Sequence, residues 1–258
     1  MQGVMIGSPR AADARTHTRT NESSAQTYAR IAGALLLLTM VFGFFGEMFV
    51  PSRLIVGNDA AATARNVVAN DALFRLSVVS YLIEALCDVA LSLVLYLLLQ
   101  PVRRDLALLA AFFGLVSTAL YGVAEVFYFA PTLLLGGADY LKAFTPEQLN
   151  ALALLCFKLY ARVGGMFMVF YGVAAVVRGY LIYRSGYLPR PLGVLLTIAG
   201  LGFITRNFVL VLAPAYASDL LLLPMFVAVL SMTLWLLARG IDIARWNARV
   251  TASEVAPA

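Results

Sequence analysis

Six long apolar runs, roughly 30–50, 73–99, 106–135, 149–177, 191–213 and 219–238, alternate with shorter polar segments along the chain. A bilayer core is crossed by about 20 apolar residues in helical form, and every run meets that length. The pattern predicts an all-α, polytopic membrane protein: a six-transmembrane-helix bundle spanning 29–240, a polar N-terminal tail over 1–28 and a C-terminal tail over 241–258. Six spans leave both termini on one side.

Composition agrees. Of 258 residues, 62% are hydrophobic and 13% charged, with a mean hydropathy of +0.86. A soluble domain is about half apolar and about a quarter charged, so this chain has too little polar surface to cover a water-exposed globule. The partner it requires is a lipid bilayer.

The basic residues give the orientation. Twelve (Arg10, Arg15, Arg19, Arg30, Arg103, Arg104, Arg178, Arg184, Arg190, Arg239, Arg245 and Arg249) fall on the side of the termini. Four (Arg53, Arg65, Arg75 and Lys142) fall on the other. By the positive-inside rule both termini are cytoplasmic, and the expected location is the plasma (inner) membrane. Topology thereby accounts for the net charge of +5, and no nucleic-acid partner is expected.

Little in the sequence points to a cofactor. Cys87 and Cys156 lie inside apolar runs without a CxxC spacing, and the single histidine, His17, is in the polar tail. No metal site and no cofactor are expected. Residues 1–28 contain no apolar core of a cleavable signal peptide.

Two loops carry helix-start signals. Asn58 or Asp59 can cap an Ala-rich helix in "PSRLIVGNDAAATARNVVANDALFR", which predicts an ordered lid or interfacial helix on the side away from the termini. Thr145-Pro146-Glu147-Gln148 has the capping-box spacing with proline at the first helical position, so the fourth span begins there.

Charged side chains within spans are costly, by a few kcal/mol each on the lenient insertion scale, and normally face the bundle interior with partners. This chain has Glu84 and Asp88 in the second span, Glu125 in the third, Lys158 and Arg162 in the fourth and Arg206 in the fifth. Counted from the outer ends at about 1.5 Å per residue, Glu84, Glu125 and Lys158 lie roughly 14–16 Å deep, Arg206 about 10, and Asp88 and Arg162 about 20–22. They form one polar layer in the outer half. The i, i+4 spacing places both acids on one face of the second span and both bases on one face of the fourth. It predicts the pairs Glu84–Lys158 and Asp88–Arg162 if these spans are neighbours. Tyr81, Tyr121, Tyr128, Tyr160 and Asn207 lie within about a turn of the layer, whereas Glu47, near the outer end of the first span, reads as solvated.

Three stretches, "VPSRLIVGNDAAATARNVVANDALFRL", "GGADYLKAFTPEQLNALALL" and "GYLIYRSGYLPRPLGVLLTIAG", closely resemble the bacterial integral-membrane family catalogued as domain of unknown function 4386. The likeness runs from about Tyr28 to Gly240. It implies a six-helix fold and leaves the activity open. Family members often carry a histidine early in the fourth span where this chain has Tyr160, so a histidine-dependent role does not carry over.

Three functional classes remain. The first is a protein that binds or transports a small amphiphilic or lipid-like ligand, with Lys158, Arg162 and Arg206 taking its anionic part and Glu84, Asp88 or Glu125 its cationic part, beside Tyr121 and Tyr160. The second is an intramembrane isomerase or cyclase acting on an isoprenoid-like lipid, with Glu125, which has no base at i±4, as the acid. The third is a structural or regulatory subunit whose charges form a closed ion-pair network.

Overall fold

A computed structural model describes the backbone of residues 9–255 and the side chains of 24–253. The side chains of Arg10, Arg15, Arg19 and His17 and the two ends of the tails lie outside the described residues.

The described residues are helical almost throughout, without strands. Helix α1 (Pro9–Gly43) passes through a π-helical turn (Phe44–Phe49) into α2 (Val50–Leu54). There follow α3 (Ala60–Ala69), α4 (Asp71–Leu99), α5 (Arg104–Leu134), α6 (Pro146–Ser185), α7 (Arg190–Leu212), α8 (Leu223–Ala238) and α9 (Ile243–Val255). Six segments are long and apolar enough to cross a membrane: 24–54, 71–99, 104–134, 146–185, 190–212 and 219–238. The 29 residues of α4 extend about 43 Å, more than the roughly 30 Å of a hydrocarbon core.

Each span packs on its neighbour in the chain, and α8 returns to α1, so the six close into a ring in chain order. The ring is apolar outside as well as inside. Leu86 on α4, Val126 on α5 and Leu212 on α7 are 72%, 66% and 80% exposed, a surface that needs lipid around it. The chain is a multi-pass helical membrane protein.

Small residues set the closest contact. Between α6 and α7, a Cβ added to Gly200 would come 2.5 Å from the carbonyl oxygen of Gly172, and one added to Gly193 would come 2.6 Å from that of Gly179. Here helix backbones touch, as expected where packing rather than water exclusion drives association.

Both predicted caps form. Asp59 Oδ1 accepts from the Ala62 amide at 2.8 Å and starts α3. Thr145 Oγ1 accepts from the Gln148 amide at 3.3 Å while Gln148 Oε1 accepts from the Thr145 amide at 2.9 Å. Helix α3 packs on α6, and Asn66 ties it to the Leu54 carbonyl at 3.2 Å, so it covers the face opposite the termini.

The terminal face is closed differently. Within the expected C-terminal tail, Ile243–Val255 forms the helix α9, docked across the ends of the spans. Trp246 Nε1 donates to the Leu98 carbonyl at 3.4 Å, Arg249 to that of Arg184 at 2.9 Å, and Arg245 to that of Gly186 at 3.0 Å. Tyr187, in the α6–α7 turn, also donates to Leu98 at 2.6 Å. Burial raises its phenol above the ordinary range, so it stays protonated and a donor.

Candidate functional site

The ring order decides which of the charged residues meet. Helix α5 lies between α4 and α6, which touch each other only slightly, and the pairs Glu84–Lys158 and Asp88–Arg162 do not form. Lys158 is exposed, and its Nζ reaches Asn58 Oδ1 at 3.4 Å in the loop before α3. Arg162 is exposed one turn further along α6. The equal spacing of acids and bases reflected helical periodicity in both helices, not contact between them. Arg206 is also elsewhere: its guanidinium is held by Asp219 Oδ1 at 2.8 and 3.2 Å and by Asn207 Oδ1 at 3.1 Å. None of the five ion pairs among the described residues includes Glu47, Glu84, Asp88 or Glu125.

The acids gather without bases. Tyr121 of α5 is at the centre, its hydroxyl 2.7 Å from Glu47 Oε1 on the π-helical turn and 3.1 Å from Glu84 Oε2 on α4. Glu47, read from the sequence as solvated, thus belongs to the cluster. The first span continues through α2 to Leu54, leaving Glu47 about two turns from its end. The π-helical turn adds a residue per turn and re-aims the side chains beyond it, a distortion frequent at functional sites. One glycine precedes that turn and another lies within it. A Cβ on Gly43 would lie 2.8 Å from Glu84 Oε1, and the Gly46 carbonyl accepts from the Tyr81 hydroxyl at 3.3 Å.

Glu125 follows Tyr121 by one turn of α5, within electrostatic reach of Glu47 and Glu84. Both of its carboxylate oxygens are buried and have no hydrogen-bond partner. Around it the tyrosines form a continuous wall. The Tyr81 ring centroid is 5.6 Å from Tyr121, 5.2 Å from Tyr128 and 6.1 Å from Tyr160, and Tyr128 is 5.0 Å from Tyr160. The Tyr81 and Tyr160 hydroxyls are hydrogen-bonded at 2.7 Å, and Tyr128 meets Ser77 at 3.2 Å. Among the described residues no three His, Cys, Asp or Glu side chains converge closely enough to hold a metal ion. The wall offers anionic oxygens and aromatic faces, a combination suited to an organic cation or a proton.

Asp88, one turn beyond Glu84 on the same face of α4, lies in the field of Arg178 as well as in that of Glu47. The basic-residue count had assigned Arg178 to a terminal-side loop, but α6 runs on to Ser185 and holds it at 6% exposure. Its Nη2 donates to Ser92 Oγ at 3.3 Å. Gly114 makes the room, since a Cβ there would lie 2.6 Å from that nitrogen and 2.7 Å from Ser92 Oγ. Two signals were legible in advance: "AAVVRGYLIY" keeps the apolar run going past residue 178, and Ser92 shares a face of α4 with Asp88 at i, i+4.

The family described as Domain of unknown function (DUF4386) matches residues 31–240. The chain belongs to that family. The DUF4386 region spans α1 from Ile31 to the turn after α8, so it contains every residue of the carboxylate–tyrosine cluster and ends just before α9. An "Uncharacterized protein" of Archaeoglobus fulgidus is similar to it, 27% identical over 169 residues, covering 64% of this chain and 83% of that protein. No solved structure matches the chain.

Proposed function

We propose that this DUF4386 protein binds a small amphiphilic cation between α1, α4 and α5 and exchanges it for protons held on Glu47, Glu84 and Glu125. The orientation we propose has both termini in the cytoplasm of the plasma (inner) membrane, supported by the excess of arginine on the terminal side. The site then lies in the outer half of the bilayer.

One observation carries this reading. Glu125 has two buried oxygens without a partner, beside two further carboxylates and inside a wall of tyrosine rings. An unpaired buried carboxyl is costly to a fold, and among the described residues no arginine or lysine forms an ion pair with this one. A ligand ammonium or a proton supplies the missing charge. Tyr121 adds a second argument: its hydroxyl has one proton to donate but two carboxylates within reach. All three groups are satisfied when one carboxyl itself carries a proton and donates back to the phenol oxygen. Cation entry displaces such protons, which is the chemistry of exchange. The zwitterionic ligand drops out because Lys158, Arg162 and Arg206 lie apart from the acids.

A second reading rests on the same Glu125. A carboxylic acid facing tyrosine π-surfaces suits protonation of an isoprenoid-like alkene, whose carbocation the rings would stabilise.

The test uses purified protein and a lipophilic cation, tetraphenylphosphonium, beside a neutral amphiphile of similar size. The cation should raise Tm in wild type, and in proteoliposomes its uptake should acidify the opposite compartment. Both responses should vanish in Glu125→Gln. Equal responses to the neutral and cationic probes, or a Glu125→Gln variant that responds like wild type, would sink the proposal. Altered lipid profiles in cells expressing wild type but not Glu125→Gln would favour the enzymatic reading instead.

A further inference from the structure

The terminal face carries a second feature, at the opposite end of the bundle from the carboxylates. A cleft of about 360 Å³ opens where the α6–α7 turn, the end of α8 and the start of α9 meet. Tyr187, Trp235, Arg239, Gly240, Asp242 and Arg245 are among the residues that line it. Two glycine turns shape its walls, Gly186 ending α6 at φ +78° and Gly240 ending α8 at φ +71°, a conformation that disfavours any side chain. The turn at Gly240 is fastened to α1, because Gln26 donates to the Arg239 carbonyl at 3.1 Å and accepts from the Ile241 amide at 3.1 Å.

The charges in this cleft do not cancel. Asp242 is fully engaged by Arg245, which donates from its backbone amide to Oδ1 at 3.1 Å and from its side chain to Oδ2 at 3.2 Å. Arg245 spends another N–H on the Gly186 carbonyl. Arg239 is different. Among the described residues its guanidinium meets only the Trp235 ring, 5.7 Å from the centroid, and has no acceptor for its N–H groups. The cleft therefore presents one uncompensated guanidinium, pre-oriented by an aromatic face, with a second arginine fixed beside it.

Its level along the bundle is also marked. The chain has two tryptophans, and both are here. Trp235 donates to the Gly240 carbonyl at 3.1 Å and Trp246 to that of Leu98, at the arginine-rich ends of the spans. Tryptophans of membrane proteins gather at the depth of the lipid headgroups, where the phosphates are.

We propose that this cleft binds a phosphate group, with Arg239 as its principal ligand and Arg245 as the second, at the level where a phospholipid headgroup presents one. Guanidinium groups suit the purpose because their planar donors match phosphate oxygens in pairs. Docking of α9 completes the site, since Asp242 immediately precedes that helix and Arg245 lies in its first turn.

The test is thermal unfolding of the purified protein with three probes: dioctanoyl phosphatidylglycerol, inorganic phosphate, and dioctanoylglycerol, which has the same chains without phosphate. Phosphatidylglycerol at saturating concentration should raise Tm by about 5 °C and change tryptophan emission, while dioctanoylglycerol should do neither. The shift should be lost in Arg239→Gln, an exposed position whose side chain has no hydrogen bond among the described residues, partly kept in Arg239→Lys, and unaffected by Arg103→Gln, whose charge is paired with Asp105. Stabilisation by phosphatidylglycerol alone identifies a lipid headgroup. An equal effect of inorganic phosphate identifies a soluble phosphate at the same arginines. If dioctanoylglycerol acts as strongly, or Arg239→Gln responds like wild type, the cleft is not a phosphate site.

Discussion

The two halves of the bundle solve the problem of buried polarity in opposite ways. On the terminal side the core is aliphatic, built around Leu91, Leu95, Leu98, Leu181, Ile182 and Leu236. The polar groups that enter it are matched: Arg178 with Ser92 and the field of Asp88, Tyr187 and Trp246 with the Leu98 carbonyl. On the far side the core is aromatic, built on Phe74, Tyr81, Tyr121, Tyr128 and Phe157, and it encloses three carboxylates with no cation and one of them with no partner at all. The first half uses polarity to fix the helices. The second holds a polarity that the fold alone does not satisfy, and such sites mark function at the expense of stability.

That contrast predicts the largest effect on the terminal side. Arg178→Ala deletes a buried guanidinium with its hydrogen bond to Ser92, leaves a hole beside Gly114 and removes the positive field that reaches Asp88. Breaking such an arrangement from one side costs roughly 3 kcal/mol, measurable by unfolding in mixed micelles. The double variant Asp88→Leu with Arg178→Met should recover much of the loss, because no charge is then left behind. A double variant as unstable as the single would mean that Arg178 acts through packing alone.

On the far side the sign reverses. Glu125→Leu replaces an unpartnered carboxyl by an apolar side chain of similar size, within a wall of tyrosines and near two like charges. It should raise stability by about 1 kcal/mol and abolish the response to tetraphenylphosphonium. A destabilised Glu125→Leu would show that the carboxyl has a structural partner and would erase the contrast between the halves.

The fold was legible because its signals are local or additive. Apolar length marks a span, Thr145 and Gln148 mark a helix start, and Asp59 marks another. The acids Glu84, Asp88 and Glu125 were legible as rarities, and Tyr121 and Tyr160 as their neighbours in sequence. What was not legible was adjacency. Depth and spacing place a residue along a helix axis and around it, but they do not say which helix stands opposite. The match between Glu84/Asp88 and Lys158/Arg162 needed α4 against α6, and the ring puts α5 between them. Glu47 was hidden for another reason: its depth depended on where the first span ends, and the helix continues through Pro51, a residue more usual at a helix start. Arg178 was misplaced by the same uncertainty at the other end of α6. Charges near span ends are the ones whose burial a hydropathy boundary decides, and an error of two turns moves them across it.

The smallest expected effect tests that correction directly. Had Lys158 and Arg162 neutralised Glu84 and Asp88, removing them would strand two buried carboxylates and cost several kcal/mol. Both are instead exposed on α6, with Asn58 at 3.4 Å as the lysine's only hydrogen-bond partner among the described residues. Lys158→Ala and Arg162→Ala should each change unfolding stability by no more than about 0.5 kcal/mol, and the double variant by no more than their sum. An additional loss confined to the double variant would reveal coupling to a shared partner and return the bases to the acid cluster. Additive, near-zero effects leave Glu47, Glu84 and Glu125 to be neutralised by protons or by a ligand.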